Sequence, residues 1–251
     1  MRLITWNCHH GTIERRIEQL RRLDPDLVTL QECCRQGLPF MDAVWSGTRE
    51  VRGVAVVALN PSLQLEHLNV KLASTAVPVI VHGPTPFVLL AVWAHPTPTY
   101  DNFVLNAVRA CAKATGDRPM IVMGDLNILP TSDAVRVLRE ELGVVSAYHH
   151  HYRVEPGHEQ HPTHFWRWHE TSPWHIDFCL VPEAWVGKVR KVCVGGFAEW
   201  TDSDHRPLTV ELALPFPTLQ SSATRAALQP RSTLARCNRA ARRAPRRRRS
   251  R

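Results

Sequence analysis

The chain has 251 residues, 44% of them hydrophobic, with eight tryptophans and a formal net charge of +8. That supports one large domain with a sizeable core and leaves too little chain for two ordinary α/β domains. The charge is uneven: 11 of the 31 basic residues are arginines after Leu219, where no acid occurs, which leaves 20 bases against all 23 acids and a net of −3 before it. The body therefore does not carry the general basic excess of a nucleic-acid-binding surface. No apolar run reaches the length of about 18 residues that a membrane span needs. No charged-then-apolar leader precedes the first strand, and seven cysteines without a CxxC spacing point to buried free thiols in a reducing compartment. A cytoplasmic location is expected.

Arg2–Trp6 reads as a buried strand. From Ile13 to Leu23, apolar Ile13, Ile17, Leu20 and Leu23 mark an amphipathic helix, which Asp24-Pro25 ends. Leu27–Leu30 is the next strand, so the first two strands form a β-α-β unit and should be parallel neighbours. Gly53–Leu59 is a strand apolar on both faces. Val77–His82 and Phe87–Trp93, separated by Gly83-Pro84-Thr85-Pro86, form a hairpin. Asn102–Ala114 is a helix with one apolar stripe, Met120–Met123 a strand, and Ser132–Leu142 a helix capped by Thr131 or Ser132. Tyr148–Trp174 has neither period and reads as a long loop with one short strand near Thr163–Trp168. It holds seven histidines, but no cysteine pair supports them and the triplet His149–His151 has no ligand spacing, so no structural zinc is assigned. Val192–Phe197 and Pro207–Leu214 are the last strands. The catalytic domain should span residues 1–217 and a disordered arginine-rich tail residues 218–251.

Polar residues gather where these apolar runs end: Asn7, Gln31-Glu32, His95, Asp125-Leu126-Asn127, and Asp202-Ser203-Asp204-His205 before the last strand. Strand ends are where sheets present residues to ligands. Glu32 at the end of a buried strand needs a cation or water, and a hard ion such as Mg²⁺ prefers oxygen. In an extended segment Asp125 and Asn127 point the same way, offering a carboxylate to activate water and an amide to bind a phosphoryl oxygen. Asp177, among apolar residues in the middle of a strand, wants a partner, and His205 is the candidate. The pair would fix the imidazole tautomer and favour the imidazolium. Each of these segments read alone is equally a turn or a core position.

Taken in order, WN, LQE, a strand-end histidine, GDLN, HIDF and SDHRP resemble the endonuclease/exonuclease/phosphatase superfamily, over about Met1 to Leu214. The resemblance implies an α/β fold, a four-layer α/β/β/α sandwich of two mixed β-sheets flanked by helices. It implies a Mg²⁺ site, with Mn²⁺ as a substitute, held by Glu32, Asp204 and Asn7. Asp125, Asn127, Asp177, His205 and His95 are implied as catalytic, and Asn7 and Asn127 as phosphate-binding. His95 is similar to a histidine of the deoxyribonuclease and sphingomyelinase branches, where the exonuclease III branch has tyrosine. The glutamate that partners this histidine in deoxyribonuclease has no clear match, Glu66 being a poor one. The segment Thr163–Trp166 with Pro173–Asp177 is similar to the aromatic segments that abasic-site endonucleases place around a flipped-out sugar. Trp174 either lines such a pocket or, with Trp166, is a core aromatic.

The reading is a Mg²⁺-dependent phosphoesterase, a monomer acting on a phosphate-ester substrate, most simply DNA. Two alternatives stand: a phosphatase or phosphodiesterase on a small-molecule or lipid phosphate, which the acidic body favours, and a non-catalytic nucleic-acid-binding module using the arginine tail.

Overall fold

The computed structural model describes residues 1–36, 42–48 and 50–215. The arginine-rich tail and the expected boundary at residue 217 lie outside them. In chain order the elements are β1 (Arg2–Asn7), α1 (Ile13–Leu20), β2 (Leu27–Cys33), β3 (Asp42–Thr48), β4 (Arg52–Ala58), β5 (Gln64–His67), β6 (Ala76–His82), β7 (Phe87–Trp93), α2 (Tyr100–Thr115), β8 (Met120–Asp125), α3 (Asp133–Leu142), β9 (Val144–Ser146), α4 (Ala147–Tyr152), β10 (His164–Phe165), β11 (Pro173–Trp174), β12 (Asp177–Pro182), β13 (Val189–Val194) and β14 (Leu208–Leu212). Two six-stranded sheets form, ordered β13-β14-β1-β2-β4-β3 and β5-β6-β7-β8-β12-β9, with β10 and β11 as a separate ribbon. Both sheets are mixed: β1 runs parallel to β2 and β7 parallel to β8, and β6–β7 is the expected hairpin.

Strand alternation explains the layers. Leu3, Leu27, Val54, Val56, Val79, Val81, Leu89, Ala91, Ile121 and Met123 share one core between the sheets. Their neighbours Ile4, Trp6, Val28, Leu30, Ala55 and Val57 face outward onto α1, which buries Ile13, Ile17 and Leu20. On the other side Val88, Leu90, Val92 and Val122 pack against Phe103, Val104, Val108 and Cys111 of α2 and Leu138 of α3. The result is the four-layer α/β/β/α sandwich. The three long helices carry side-chain caps of the expected kind: Thr12 accepts from the Arg15 N–H, Thr99 from Asn102 and Ser132 from Ala134. Six cysteines fall among the described residues and all are unbridged. No helix among those residues is long and apolar enough to cross a membrane.

The long segment 148–174 holds more structure than its sequence pattern predicts. The histidine triplet lies on α4, with Tyr148 buried on one side of it. Strands β3, β5 and β9 were also not legible, being short or only half-buried.

Candidate active site

Polarity rises along the inter-sheet face toward one end. On β1 the sequence of inward residues is Leu3, Thr5, Asn7; on β2 it is Leu27, Thr29, Gln31; on β8 it is Ile121, Met123, Asp125. Thr5, Thr29 and Gln31 are buried and satisfy one another, with Gln31 Nε2 donating to both threonine hydroxyls at 3.2 Å. One step further the two sheets are joined directly: Asn7 Nδ2 donates to Asp125 Oδ2 at 2.9 Å and to Glu32 Oε1 at 3.2 Å.

Glu32 reaches this face through a bulge. The β2–β4 register shifts between Gln31 and Cys33, and Glu32 adopts a left-handed backbone with φ +57°. In regular alternation Glu32 would follow Leu30 toward α1; the extra residue re-aims it. Its carboxylate also binds the Arg52 guanidinium from the adjacent β4, and Arg52 lies 5.1 Å over the Trp93 ring.

Asp125 ends β8. Gly124 before it has φ +144°, and a Cβ there would lie 1.9 Å from the Val92 carbonyl oxygen, so only glycine lets β8 lie against β7 at this point. The pair Asp125 and Asn127 is brought together by a turn, which corrects the extended geometry expected for it. The strand stops at Asp125, Leu126 is buried, and Asn127 sits at φ +52° with its N–H donating to Asp125 Oδ1 at 3.0 Å. The Asn127 amide donates to the Ala94 carbonyl at 3.3 Å.

Asp177 is the first residue of β12, a strand end like the others, where a mid-strand position was expected; it pairs in register with Asp125 across the antiparallel β8–β12 ladder. It accepts from His205 Nδ1 at 2.8 Å, as its sequence context suggested. His205 Nε2 in turn stands 3.9 Å from Asp125 Oδ2. The line Asp177–His205–Asp125 is buried. Burial pushes the Asp125 carboxyl up to about 7, partly opposed by His205. Burial works against charge on His205, but Asp177 and Asp125 outweigh it and raise its pKa to about 9.

Two hydroxyls that the sequence did not single out hold this line in place. Thr163 Oγ1 accepts from the backbone N–H groups of Ile176 and Asp177 at 3.1 and 3.0 Å. Ser203 Oγ donates to the Asn7 carbonyl at 2.7 Å and accepts from the His205 N–H at 3.0 Å, tying the final loop to β1. Asp204, beside His205, lies between two imidazoles: His9 Nδ1 is 3.7 Å from Oδ1 and His164 Nε2 is 3.6 Å from Oδ2. His9, His164 and Arg52 are thus part of the site's rim without having been legible in the sequence. His95, just past β7, packs edge-on against Trp93 at 4.3 Å, and burial lowers its pKa while the Glu32 charge opposes this.

Trp174 and Trp166 are 47% and 55% exposed, so they are not core aromatics. They flank a cavity of about 560 Å³ that Thr171, Ser172 and Pro173 complete. The β10–β11 ribbon ties this cleft to the centre, since His164 pairs with Trp174 on one side and bridges to His205 on the other. Of the triplet histidines, His149 serves the fold, lying between Ser146 Oγ at 2.8 Å and Glu159 Oε1 at 2.6 Å.

Among the described residues, two sets of donor atoms converge closely enough for one ion: Asp125, Asp177 and His205, and His164, Asp204 and His205. Glu32 and Asp204, expected to share a metal, meet different neighbours: Glu32 holds Asn7 and Arg52, Asp204 lies between His9 and His164, and neither converging set contains Glu32. Both carboxylates are partly open to solvent and supply the hard oxygen donors that a divalent cation takes. The donor chemistry of the rim therefore fits a metal ion.

A two-sheet sandwich whose strand ends gather a carboxylate–imidazole–carboxylate line beside further carboxylates defines a metal-dependent phosphoesterase. Residues 4–205 match the profile of the Endonuclease/Exonuclease/phosphatase family, and the chain belongs to that family. It is accordingly a hydrolase of phosphate esters, which sets aside the non-catalytic reading. No curated protein matches it in sequence. Among solved structures it is similar to the 3′-5′ exonuclease NExo from Neisseria meningitidis (TM-score 0.64, 20% identity, 84% of this chain and 99% of that one). It is also similar to an AP endonuclease from Archaeoglobus fulgidus (0.61, 17%, 85% and 100%) and to the endonuclease domain of TRAS1, a telomere-specific non-LTR retrotransposon (0.67, 15%, 84% and 97%). At these identities the likeness speaks for the fold.

Proposed function

We propose that the chain hydrolyses phosphate esters of DNA with Mg²⁺, Mn²⁺ being able to replace it, and acts as a monomer in the cytoplasm. The observation that carries the chemistry is the buried line Asp177–His205–Asp125. A carboxyl with a pKa of about 7 is matched to taking a proton from water near neutral pH. The imidazole is held with Nδ1–H on Asp177 and Nε2 toward the reacting centre, and its raised pKa keeps it a cation there, able to stabilise charge on the phosphoryl oxygens. Asn127, whose amide donates to the Ala94 carbonyl, and His95 would hold phosphoryl oxygens from the β7–β8 side. Asn7 gives both amide hydrogens to Glu32 and Asp125 while its oxygen takes the His9 N–H at 3.2 Å, which suits orienting the carboxylates better than metal ligation. Glu32 and Asp204 would hold the ion, whose contribution is to neutralise phosphoryl charge and polarise the ester.

DNA is favoured by the cleft between Trp166 and Trp174. Exposed indole faces beside a phosphoesterase centre offer stacking surface to a base or an unpaired nucleotide, which a small inorganic-like substrate does not need. The solved relatives named above that are an exonuclease and an AP endonuclease point the same way. The second reading, a small-molecule or lipid phosphate, rests on the net −3 of the body. A panel of 3′-phosphorylated, abasic and single-stranded DNA, inositol phosphates and sphingomyelin, assayed with Mg²⁺, Mn²⁺ or EDTA, separates the two. Turnover of DNA that EDTA abolishes and Trp174→Ala weakens mainly through KM is expected. Turnover confined to the inositol phosphates or sphingomyelin would overturn the DNA assignment.

A further inference from the structure

We infer that His164, Asp204 and His205 form an inhibitory site for a borderline transition-metal ion, with Zn²⁺ the best-suited occupant. The inference rests on the proposed roles of Asp204 and His205 for its consequence; binding needs only the three side chains, the ion displacing a proton from the His205 ring. Three observations converge. One ring nitrogen each of His164 and His205 and a carboxylate oxygen of Asp204 lie within 4.8 Å of one another, an N₂O set. Zinc takes nitrogen and oxygen at about 2.0–2.2 Å in a tetrahedron, which sets neighbouring donors about 3.4 Å apart. The His164 Nε2 to Asp204 Oδ2 distance of 3.6 Å is already close to that spacing and is too long for a hydrogen bond.

Second, His164 is only 7% exposed, its Nδ1 has no hydrogen-bond partner, and its Nε2 faces the Asp204 carboxylate. An imidazole with an unsatisfied buried nitrogen is costly, and an ion bound between Nε2 and Oδ2 would offset that cost. Third, the supporting shell of a metal ligand is built for His205. Its Nδ1 is hydrogen-bonded to Asp177 at 2.8 Å, the carboxylate–histidine arrangement that orients the other nitrogen toward a metal. The ligands are also fixed relative to one another: Phe165 N–H donates to the Asp204 carbonyl at 2.8 Å, and the His164 and His205 rings lie 4.4 Å apart.

Mg²⁺ prefers oxygen donors and would not choose two imidazoles, whereas Zn²⁺ suits them. An ion seated here withdraws Asp204 from the Mg²⁺ rim and engages the His205 ring that the proposed chemistry uses. The site therefore makes hydrolysis sensitive to Zn²⁺ at constant Mg²⁺.

The test uses the full chain. Zn²⁺ binding is measured by calorimetry without substrate for the wild type, His164→Ala and His164→Gln, with the exposed His169→Ala as control. Co²⁺ absorption reports the nitrogen ligands directly. Zn²⁺ inhibition of hydrolysis is read relative to each variant's own zinc-free rate. Loss of His164 should weaken binding at least ~10-fold and shift the inhibition curve equally, with His169→Ala unchanged. His164→Gln, which keeps bulk and polarity, serves if the alanine variant does not fold. Zinc binding that is the same in both His164 variants, as adventitious capture by the His149–His151 triplet would give, overturns the inference. A chain that binds zinc through His164 but hydrolyses no phosphate ester would leave the site standing and sink the proposed function instead.

Discussion

Replacing His175 by phenylalanine should flatten the acid side of the stability curve. His175 is 4% exposed, packed 4.4 Å from Tyr148 and 5.7 Å from Phe178. Its Nδ1 meets the His161 carbonyl at 3.0 Å, and its Nε2 is buried without a partner. Burial, partly offset by that hydrogen bond, lowers its pKa from 6.5 to about 4; His149 pushes the same way, while Glu159 and Asp177 oppose it. In the unfolded chain the ring titrates near ~6.5. Below that pH the unfolded state binds a proton that the folded state refuses, so stability falls as pH drops, and the full loss is reached below the folded value of about 4. At about 1.4 kcal/mol per pK unit, the window is worth about 3 kcal/mol. Phenylalanine keeps the ring and removes the titration, while leaving the His161 carbonyl unpaired at a cost of about 1–3 kcal/mol. Urea unfolding followed by tryptophan fluorescence, from about pH 7 down to about pH 4, gives both curves. Relative to the phenylalanine variant, the wild type should lose about 3 kcal/mol across the window. A difference between the two proteins that does not change with pH would refute the assignment of this loss to His175.

Other substitutions probe the supports of the site. Gly124→Ala drives a Cβ into the Val92 carbonyl and should cost about 4 kcal/mol or more, read as a collapse of the urea midpoint. Thr163→Val strands the Ile176 and Asp177 N–H groups and should cost about 2–3 kcal/mol in the same assay. Asp177→Asn removes the strongest of the three carboxylate influences, from Asp177, Asp125 and Asp204, that lift the His205 pKa to about 9. Because the cation is lost as pH rises through that value, the alkaline limb of kcat/KM should move to lower pH, with kcat down about 10²–10³-fold.

Much of the site was legible because strand ends are written into the sequence as apolar runs that stop at polar residues. Asn7, Glu32, Asp125 and Asp204 were found that way, and Asp177 and His205 were found as each other's partners. What was not legible depends on backbone irregularity and on long-range pairing. Nothing in Leu-Gln-Glu-Cys announces that Glu32 is a bulge residue at φ +57°, nor does Gly-Asp-Leu-Asn separate a turn from an extended pair. Arg52 and His164 reach the site only through the β2–β4 ladder and the β10–β11 ribbon, pairings that no local period reveals. His9 is close to Asn7 in sequence but matters because the loop before β14 brings Asp204 against it. The helix over Ala147–Tyr152 was missed because three polar histidines interrupt the apolar stripe that marks the other helices.

The central claim is that Asp125 and His205 perform metal-dependent phosphoester hydrolysis. It is tested most directly by single-turnover hydrolysis of a 3′-phosphorylated DNA oligonucleotide by the wild type, Asp125→Asn and His205→Ala, with Mg²⁺ and with EDTA, each variant first shown to unfold cooperatively. The account predicts that EDTA abolishes turnover and that each substitution lowers it by about 10²-fold or more while the fold persists. Turnover near the wild-type rate in either folded variant, or turnover that survives EDTA, would contradict it.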